Sequence, residues 1–322
     1  MYASDPSPLN ELAGAPRARA ADPLAGDPLL RAVGSTPLLP LVRLSEPSDG
    51  GFELWAKAEF LNPTGSVKDR AALEIVRSAI SEGRIGPARV LLDASSGNTA
   101  VAYAMLGARL GFGVELCLPR NASAERLARI LAYGATVVLT DPGDGSDGAQ
   151  REARRRAAES PLRYFYPDQY NNGANPAAHY RHTGPEIWEQ TRGRVTDFVA
   201  GVGTGGTVSG TGRYLKEQRT GIRVVGVEPS GPVHGLEGLK HLPSALRPST
   251  YDARVVDATI RVETEDAQEM QRRLAAEEGL AVGVSSGAAV VAALEVGRTR
   301  PGAVVVTILP DGDRRFPSRE GA

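Results

Sequence analysis

The stretch GVGTGG at residues 201–206 has the G-x-G-x-x-G spacing of a loop that binds phosphate. Glycines let a backbone approach a ligand closely, and the amides of Gly203 to Thr207 with the two threonine hydroxyls would form an anion nest at a helix start. Two ligands satisfy this pattern. One is the pyrophosphate of NAD, with Glu228 as the ribose-binding acid, and the other is a single phosphate on another cofactor. A turn without a ligand is disfavoured because so many glycines weaken helix and strand.

A lysine with nucleophilic potential follows a second loop, NPTGSVKDR at residues 62–70. Asn62 to Gly65 form a turn and Ser66 is placed to cap a helix, so Lys68 falls in its first turn. A positive charge there opposes the helix dipole, which lowers the lysine pKa and favours the neutral amine. Schiff-base chemistry requires such an amine. The competing interpretation is a solvated surface lysine.

Two further polar loops lie between a predicted strand and a predicted helix. SSGNT at residues 95–99 offers hydroxyls, an amide and backbone N–H groups that suit a substrate carboxylate, although Ser96 or Asn98 could simply cap the helix. GVSSGAAV at residues 283–290 repeats the pattern with a pair of serines. Their spacing does not distinguish capping from a hydrogen bond to a ring nitrogen.

The elements that must position these loops alternate along the chain. From Phe52 onward, short apolar runs alternate with helical patterns, which predicts parallel sheets with helices on both faces. The pattern breaks at YFYPDQYNNGANP, residues 164–176, where Asn, Gly and Pro crowd together. We therefore predict two α/β units that meet near residue 172. In open α/β sheets ligands gather where strands end and helices begin, as these four loops do.

Composition limits the function classes. The chain has 322 residues, 41% hydrophobic and 23% charged, with a formal net charge of −1, which is ordinary for a globular protein and gives no reason to expect nucleic acid or membrane as a partner. Cys117 is the single cysteine and is predicted to fill a core, so no disulfide and no metal site is expected. Residues 1–28 lack the apolar core of a signal peptide and read as a flexible or surface extension. We expect a cytoplasmic protein.

Taken together, these stretches resemble the cysteine synthase and cystathionine β-synthase family of pyridoxal-phosphate (PLP) enzymes, which have the tryptophan-synthase-β fold. The resemblance covers nearly all of the chain after the first 30 residues. It implies an α/β fold of two doubly wound domains with parallel sheets and PLP in the cleft between them. The larger domain would comprise 29–61 and 173–322, and the smaller would comprise 62–172. The stretches that carry the resemblance are GSTPLLPLVRL, EFLNPTGSVKDR, SSGNTA, NPAAHYRHTGPEIW, GVGTGGTVSGTGRYLKE, GVEP, EEGLAVGVSSGAA and LPDGDRR.

The resemblance assigns the cofactor-binding residues and decides between the two phosphate ligands in favour of PLP. Lys68 would form the Schiff base with the cofactor, and Asn98 would hydrogen-bond its phenolic oxygen. Ser285, in preference to Ser286, would meet the pyridine nitrogen, where a neutral hydroxyl makes the ring a weaker electron sink than a carboxylate would. The phosphate would be bound by Gly203, Thr204, Gly205, Gly206 and Thr207.

The same resemblance implies β-replacement on an activated L-serine through an aminoacrylate intermediate, with Lys68 moving the α-proton. A sulfur nucleophile, either sulfide or a thiocarboxylated carrier protein, would give L-cysteine. Homocysteine or an amine could replace the sulfur donor, and a non-catalytic relative that holds a peptide is the alternative from another class. The substrate carboxylate would be received by Ser95, Ser96, Gly97, Thr99 and Gln169.

The leaving group stays open between acetate and phosphate. The segment HGLEGLKHLPSALRPSTYD, residues 234–252, is similar to the branch of the family that uses O-phosphoserine, and Lys240 falls where that branch has a basic residue for the substrate phosphate. The competing interpretation is a surface lysine. The resemblance also implies a homodimer, and the C-terminus of a serine acetyltransferase as a further partner.

Overall fold

The structure is a computed structural model that describes residues 24, 26–45, 51–95 and 97–312. The described chain divides into two compact units. The smaller unit comprises the described residues up to Val33 together with Lys68–Asn175, and the larger unit comprises Gly34–Val67 together with the chain from Pro176. The chain therefore changes unit at 68 and 176, where the sequence predicts 62 and 173. Residues 29–33 belong to the smaller unit, whereas the sequence assigns them to the larger domain.

Part of the predicted N-terminal extension is folded. Leu24 is 7% exposed and belongs to the hydrophobic core of the smaller unit. Asp27 caps a short helix and pairs with Arg109 Nε at 2.7 Å. The sequence predicts a flexible or a surface extension, and the side-chain partners of these residues in the folded unit favour the second. Residues 1–23 and 25 lie outside the described residues.

The described chain alternates strands and helices as the sequence predicts. In chain order the strands are β1 Leu38–Pro40, β2 Glu53–Ala58, β3 Val90–Ala94, β4 Gly113–Pro119, β5 Thr136–Thr140, β6 Tyr164–Phe165, β7 Asp197–Gly201, β8 Arg223–Pro229, β9 Ala258–Val262 and β10 Val304–Leu309. The α-helices are α1 Pro28–Arg31, α2 Lys68–Ser81, α3 Asn98–Leu110, α4 Ala124–Ala132, α5 Gly145–Glu159, α6 Ala174–Ala178, α7 Gly184–Gln190, α8 Gly206–Gln218, α9 Thr264–Glu278 and α10 Val284–Arg298. A π-helix, His179–Thr183, joins α6 to α7.

The larger unit is built on a six-stranded sheet with the order β1-β2-β10-β7-β8-β9. All of its neighbouring strands are parallel except β1, which is antiparallel to β2. Alternate side chains face two cores: Val199 and Val305 pack with α9 and α10, while Phe198 and Val306 pack with α7 and α8. Because both faces are covered, the strands read as continuous apolar runs.

The smaller unit has a four-stranded parallel sheet with the order β5-β4-β3-β6. Leu91 and Leu116 face a core formed with α2 and α3, and Leu92 and Cys117 face the core that α5 covers. The prediction of parallel α/β sheets with helices on both faces is thus confirmed. Cys117 is buried, as predicted, and burial raises the pKa of its thiol to about 12. Among the described residues, no helix is both long and apolar enough to cross a membrane.

Candidate active site

Lys68 is the first residue of α2 and is half-buried. The helix begins two residues after Ser66, so the lysine lies in its first turn, as the sequence predicts. The loop before the helix is fixed within the larger unit. The Val67 amide donates to the Pro310 carbonyl at 2.7 Å, and Ser66 forms an isolated bridge with Asp311. The backbone thus determines where the helix that carries the lysine begins.

The loop at residues 95–99 connects β3 to α3 in the smaller unit. Gly97 occupies the N-cap position with extended backbone and no side-chain cap, and Asn98 is the first helical residue, so capping by Asn98 does not occur. Ser95 Oγ accepts the Gly97 amide at 3.3 Å. Ser96 lies outside the described residues. The positive end of the α3 dipole and the Ser95 hydroxyl together suit an anionic group such as a carboxylate.

Thr99 and Gln169 are brought together although 70 residues separate them in the sequence. Thr99 Oγ1 donates to Gln169 Oε1 at 2.8 Å, and both side chains are 5% exposed. The Gln169 carbonyl accepts from Asn175 Nδ2 at 2.9 Å, which fixes the backbone of the segment after β6. The two predicted carboxylate-binding residues are therefore adjacent in the smaller unit, with the glutamine amide oriented by the threonine.

The glycine-rich loop connects β7 to α8 in the larger unit. Gly205 is the N-cap residue of α8 and has a left-handed backbone, with φ 83°, which favours glycine at this position. Gly206 and Thr207 form the first turn of the helix, and Thr204 Oγ1 accepts the Gly206 amide at 3.4 Å. The first amides of α8 lack intrahelical acceptors, so the loop fits an anion.

The loop has no space for larger residues because the segment from Gly238 to Tyr251 packs against it. A Cβ on Gly203 would lie 2.2 Å from the Gly238 carbonyl oxygen, and one on Gly205 would lie 2.5 Å from Tyr251 Cβ. Thr250 Oγ1 also donates to the Thr204 carbonyl at 2.6 Å. These contacts hold the loop backbone in one conformation, which a binding site for a fixed anion requires.

His179 orients the loop as well, although the sequence interpretation did not single it out. It is 2% exposed, and its Nε2 lies 3.2 Å from Thr207 Oγ1 while its Nδ1 lies 3.0 Å from Thr183 Oγ1. The only sequence signal for this role is the position of His179 inside the stretch NPAAHY. A histidine in the π-helix thus orients the hydroxyl of Thr207, a residue predicted to bind the phosphate.

Glu228 does not act as the NAD interpretation requires. It ends β8 as predicted, but it is 4% exposed and its Oε2 accepts the Leu242 amide at 3.3 Å. The carboxylate therefore stabilises the segment that covers the glycine-rich loop. This contact weakens the case for a ribose-binding acid and leaves the single-phosphate interpretation.

Ser285 and Ser286 differ in their surroundings. Ser285 is the second residue of α10 and is 5% exposed, and its Oγ lies 3.5 Å from Asp311 Oδ1. Ser286 is completely buried, and its Oγ has no hydrogen-bond partner within the described part of the chain. The residue before α10 is Gly283. A larger residue would not fit there, because its Cβ would lie 2.2 Å from Asp311 Oδ1. Of the two serines, Ser285 is the one with some exposure to a ligand.

Lys240 lies beside the glycine-rich loop in the larger unit. Its amide donates to the Val202 carbonyl at 2.8 Å, and its side chain is half-buried. The predicted phosphate-binding lysine is therefore tied to the backbone directly before Gly203. Among the described residues, no group of three or more His, Cys, Asp or Glu side chains could hold a metal ion.

The residues present fit PLP. The loop at 203–207 provides an anion cradle that a Cβ would fill, and Lys68 provides an amine at the start of a helix. Lys68 and the loop at 95–99 belong to the smaller unit, and the glycine-rich loop and Ser285 belong to the larger one. Within its own unit, each of the loops after β3 and β7 lies at the carboxyl end of a parallel strand, where open α/β sheets bind ligands.

The fold is that of a PLP-dependent enzyme, and a family comparison agrees. Residues 29–311 match the family of pyridoxal-phosphate dependent enzymes, and the chain belongs to that family. The predictions of an enzyme and of PLP as its cofactor are confirmed.

Relatives narrow the class. A cysteine synthase from Aquifex aeolicus is 48% identical over 297 residues, which are 91% of each chain. Cysteine synthase B from Salmonella typhimurium is 44% identical over 89% of this chain and 93% of its own. A crystal structure of a cysteine synthase from Entamoeba histolytica superposes with a TM-score of 0.86 at 35% identity, covering 95% of this chain and 92% of the other. The resemblance to the cysteine synthases is thereby confirmed.

Proposed function

We propose that this chain is a cysteine synthase, which replaces the β-substituent of an activated L-serine by sulfur and releases L-cysteine. The names of its relatives support this reaction. The observation that carries the proposal is the hydrogen bond between Thr99 and Gln169 beside the start of α3. It creates a buried polar receptor for the carboxylate of an amino-acid substrate, which a PLP enzyme of this class needs.

The cofactor supplies an electron-withdrawing ring that stabilises negative charge on the α-carbon of an attached amino acid. In our proposal Lys68 and Asn98 hold its aldehyde end, the loop at 203–207 holds its phosphate, and Ser285 meets its ring nitrogen. A serine hydroxyl, unlike a carboxylate, does not force that nitrogen to stay protonated, which favours loss of the β-substituent over transamination.

The protein side chains supply positioning and proton transfer. Thr99, Gln169 and the amides that begin α3 fix the substrate carboxylate and thereby the direction of the bond from the α-carbon to hydrogen. Lys68 Nζ takes that proton as a general base and returns it to the α-carbon after the sulfur nucleophile has added. The helix dipole of α2 favours the neutral amine that this role needs.

The test measures cysteine formation by cofactor-loaded protein from O-acetyl-L-serine or O-phospho-L-serine with sulfide. Removing a general base costs roughly 10²- to 10⁴-fold, so Lys68→Ala should lower kcat by at least about 10²-fold. Lys216→Ala is the matched control. Lys216 lies near the C-terminal end of α8, away from the glycine-rich loop, and pairs with Asp257. Turnover by Lys68→Ala at the wild-type rate would overturn the assignment. Homocysteine and an amine tested in parallel would show whether sulfide is the preferred nucleophile.

Lys240 distinguishes the two leaving groups. If the substrate is O-phosphoserine, Lys240→Ala should raise its KM about tenfold, since a charge-assisted hydrogen bond contributes about 1.5–3 kcal/mol. The KM for O-acetylserine should stay unchanged, because a neutral ester does not need the cation. Steady-state kinetics on both substrates, with Lys240→Met as a second variant of similar length, measure this difference. An equal rise in KM for both substrates would mean that Lys240 does not bind the phosphate.

A homodimer, a cytoplasmic location, and binding of a thiocarboxylated carrier protein or a serine acetyltransferase C-terminus complete the proposal. The homodimer and the two partners rest on the family resemblance, and the location rests on composition and apolar patterning. Light scattering on the purified protein tests the homodimer, binding assays test the two partners, and cell fractionation tests the location.

A further inference from the structure

A buried polar cluster in the smaller unit has no part in the function proposed above. Asp93 lies in β3, one residue before the strand ends, and is 2% exposed. Its Oδ1 accepts the Ala94 amide at 2.8 Å, but its Oδ2 is also buried and has no hydrogen-bond partner within the described ranges. A buried carboxylate with one backbone donor is unfavourable, because buried charges are normally paired or neutralised.

Two more buried atoms in the same region lack partners. Tyr103 in α3 is completely buried, and neither its Oη nor Asp168 Oδ1 has a hydrogen-bond partner among the described residues. Asp93 and Asp168 lie toward the same end of the sheet. β3 pairs in parallel with β6 through Leu91 and Phe165, and the two aspartates follow these partners by two and three residues. The charges of both carboxyls act on the Tyr103 phenol, so the three buried groups lie in one interior region.

The cluster is connected to the predicted carboxylate receptor through Asp168. This residue precedes Gln169 and has φ 44°, a left-handed conformation that is unfavourable for a residue other than glycine. Its Oδ2 accepts from Asn171 Nδ2 at 2.9 Å, and its carbonyl accepts the Asn171 amide, also at 2.9 Å. Asp168 Oδ1 is buried, and the strained turn immediately precedes the residue that accepts the Thr99 hydroxyl hydrogen.

Other groups near Asp93 do not compensate its charge. Burial, with the negative charge of Asp168 adding to it, raises the pKa of Asp93 to about 7, and the Ala94 amide opposes the shift. Burial raises the pKa of the Tyr103 phenol, and the charges of Asp93 and Asp168 raise it further. The titratable and charged groups that face the cluster from the neighbouring strands, loops and α5 are Cys117, Tyr166, Tyr170, Asp147 and Arg154.

We propose that Asp93 is a neutral carboxylic acid in the active protein and that, with Tyr103, it binds one buried water that hydrogen-bonds Asp168 and so fixes Gln169 against Thr99. Three polar partners are enough to hold such a water. In this arrangement Asp93 donates its proton, Tyr103 donates its hydroxyl hydrogen, and Asp168 accepts. The three side chains are positioning residues for the receptor.

Ionisation of Asp93 then weakens the receptor. Above about pH 7 the deprotonated Asp93 has no proton to donate, and it repels Asp168 across the shared water. Repulsion at Asp168 disturbs the strained turn before Gln169. Affinity for the substrate carboxylate should therefore fall as the pH rises, while the proton transfer by Lys68 is untouched by this cluster.

The protonation state is tested by infrared spectroscopy of the cofactor-loaded protein at about pH 6 and about pH 9. The wild-type protein should show the carbonyl band of a protonated carboxylic acid at the lower pH and lose it at the higher pH. Asp93→Asn should lack the band at both, and Asp168→Asn should lose it at a lower pH than the wild type, because the neighbouring negative charge that raises the pKa of Asp93 is removed. A wild-type spectrum without a band that depends on Asp93 would overturn the proposal. This measurement does not depend on any catalytic activity.

The positioning role, which rests on the proposed function, is tested by kinetics. The asparagine side chain in Asp93→Asn is neutral and can donate, so this variant should bind O-acetylserine about as well as the wild type below pH 7. The ratio of wild-type KM to Asp93→Asn KM should rise as the pH passes about 7 and level off at about fivefold or more, with the ratio of kcat values constant. Titration of the substrate cancels in this ratio. Tyr103→Phe should raise KM about fivefold at every pH, the effect of one lost hydrogen bond. A pH-independent KM ratio would refute the role in binding even if the infrared band were present, and absence of any turnover would refute the proposed function alone.

Discussion

In our proposal His179 does not contact the cofactor but acts on the candidate site through the hydroxyl of Thr207. Its two ring nitrogens lie within hydrogen-bond distance of Thr207 and Thr183, so the imidazole is held from both sides. Because one side of the ring is fixed by Thr183, the other presents a defined partner to Thr207. The threonine hydroxyl is thereby restricted to the orientation that a phosphate ligand meets.

Replacing His179 should weaken cofactor binding more than catalysis. We expect His179→Leu to raise the Kd for PLP about tenfold, because one hydrogen bond of about 1–1.5 kcal/mol no longer orients Thr207. Equilibrium dialysis followed by cofactor absorbance measures this change. His182→Leu is the matched control, since that histidine belongs to the same π-helix and is exposed. Equal Kd values for the two variants would contradict the orienting role.

The loop between β7 and α8 depends on close backbone packing. Gly203 lies so near the Gly238 carbonyl that no side chain fits, and the segment at 238–251 is itself fixed by Glu228 and Val202. A strand end, a helix start and a covering segment therefore form one rigid unit of structure. Its rigidity is what allows backbone amides to bind an anion without reorganisation.

Gly203→Ala should displace this loop. The new Cβ would lie 2.2 Å from a backbone oxygen that cannot move as a side chain could, so we expect a loss of PLP affinity of at least about tenfold with the fold retained. Gly221→Ala is the control, because no atom lies within 4 Å of a Cβ at that turn. Dialysis and circular dichroism on both variants separate loss of the site from loss of the fold. Unchanged cofactor affinity in Gly203→Ala would show that the loop adapts.

Across the whole molecule, the chain passes from the larger unit to the smaller one and back. The first change falls at Lys68, and the second falls just after the segment that carries Gln169. Two predicted functional residues thus lie next to the positions where the chain changes unit. Placement of PLP between the two units stays a prediction from the family resemblance.

Stability should depend on pH through Asp93. Its pKa is raised from 3.8 to about 7 in the folded protein, so the folded state binds the proton more tightly than the unfolded state. The resulting stabilisation is complete below about pH 4 and is lost as the pH rises through about 7, a change of at most about 4 kcal/mol. Urea unfolding of the wild type and Asp93→Asn over this range measures it. A difference between the two free energies of unfolding that does not vary with pH would contradict the raised pKa.

The amino-acid sequence by itself determined the classes of the elements and the identity of the candidate loops. Apolar runs that alternate with helical patterns are local features, and they predicted two parallel sheets with helices on both faces. The glycine-rich loop and the SSGNT loop were recognisable because turn chemistry depends on a few neighbouring residues. Local patterns left the state of the N-terminal extension open, since the burial of Leu24 depends on what packs against it.

Only the tertiary structure decided which distant side chains meet. The fold brings Thr99 to Gln169 and His179 to Thr207, although separate elements carry the members of each pair. It also leaves Asp93 Oδ2 buried without a hydrogen-bond partner among the described residues. No spacing rule encodes these relations, because they depend on strand order and on how each helix packs on its sheet. Burial then changes the chemistry: an aspartate that would be charged at the end of an exposed strand becomes an acid with a pKa of about 7 inside the fold.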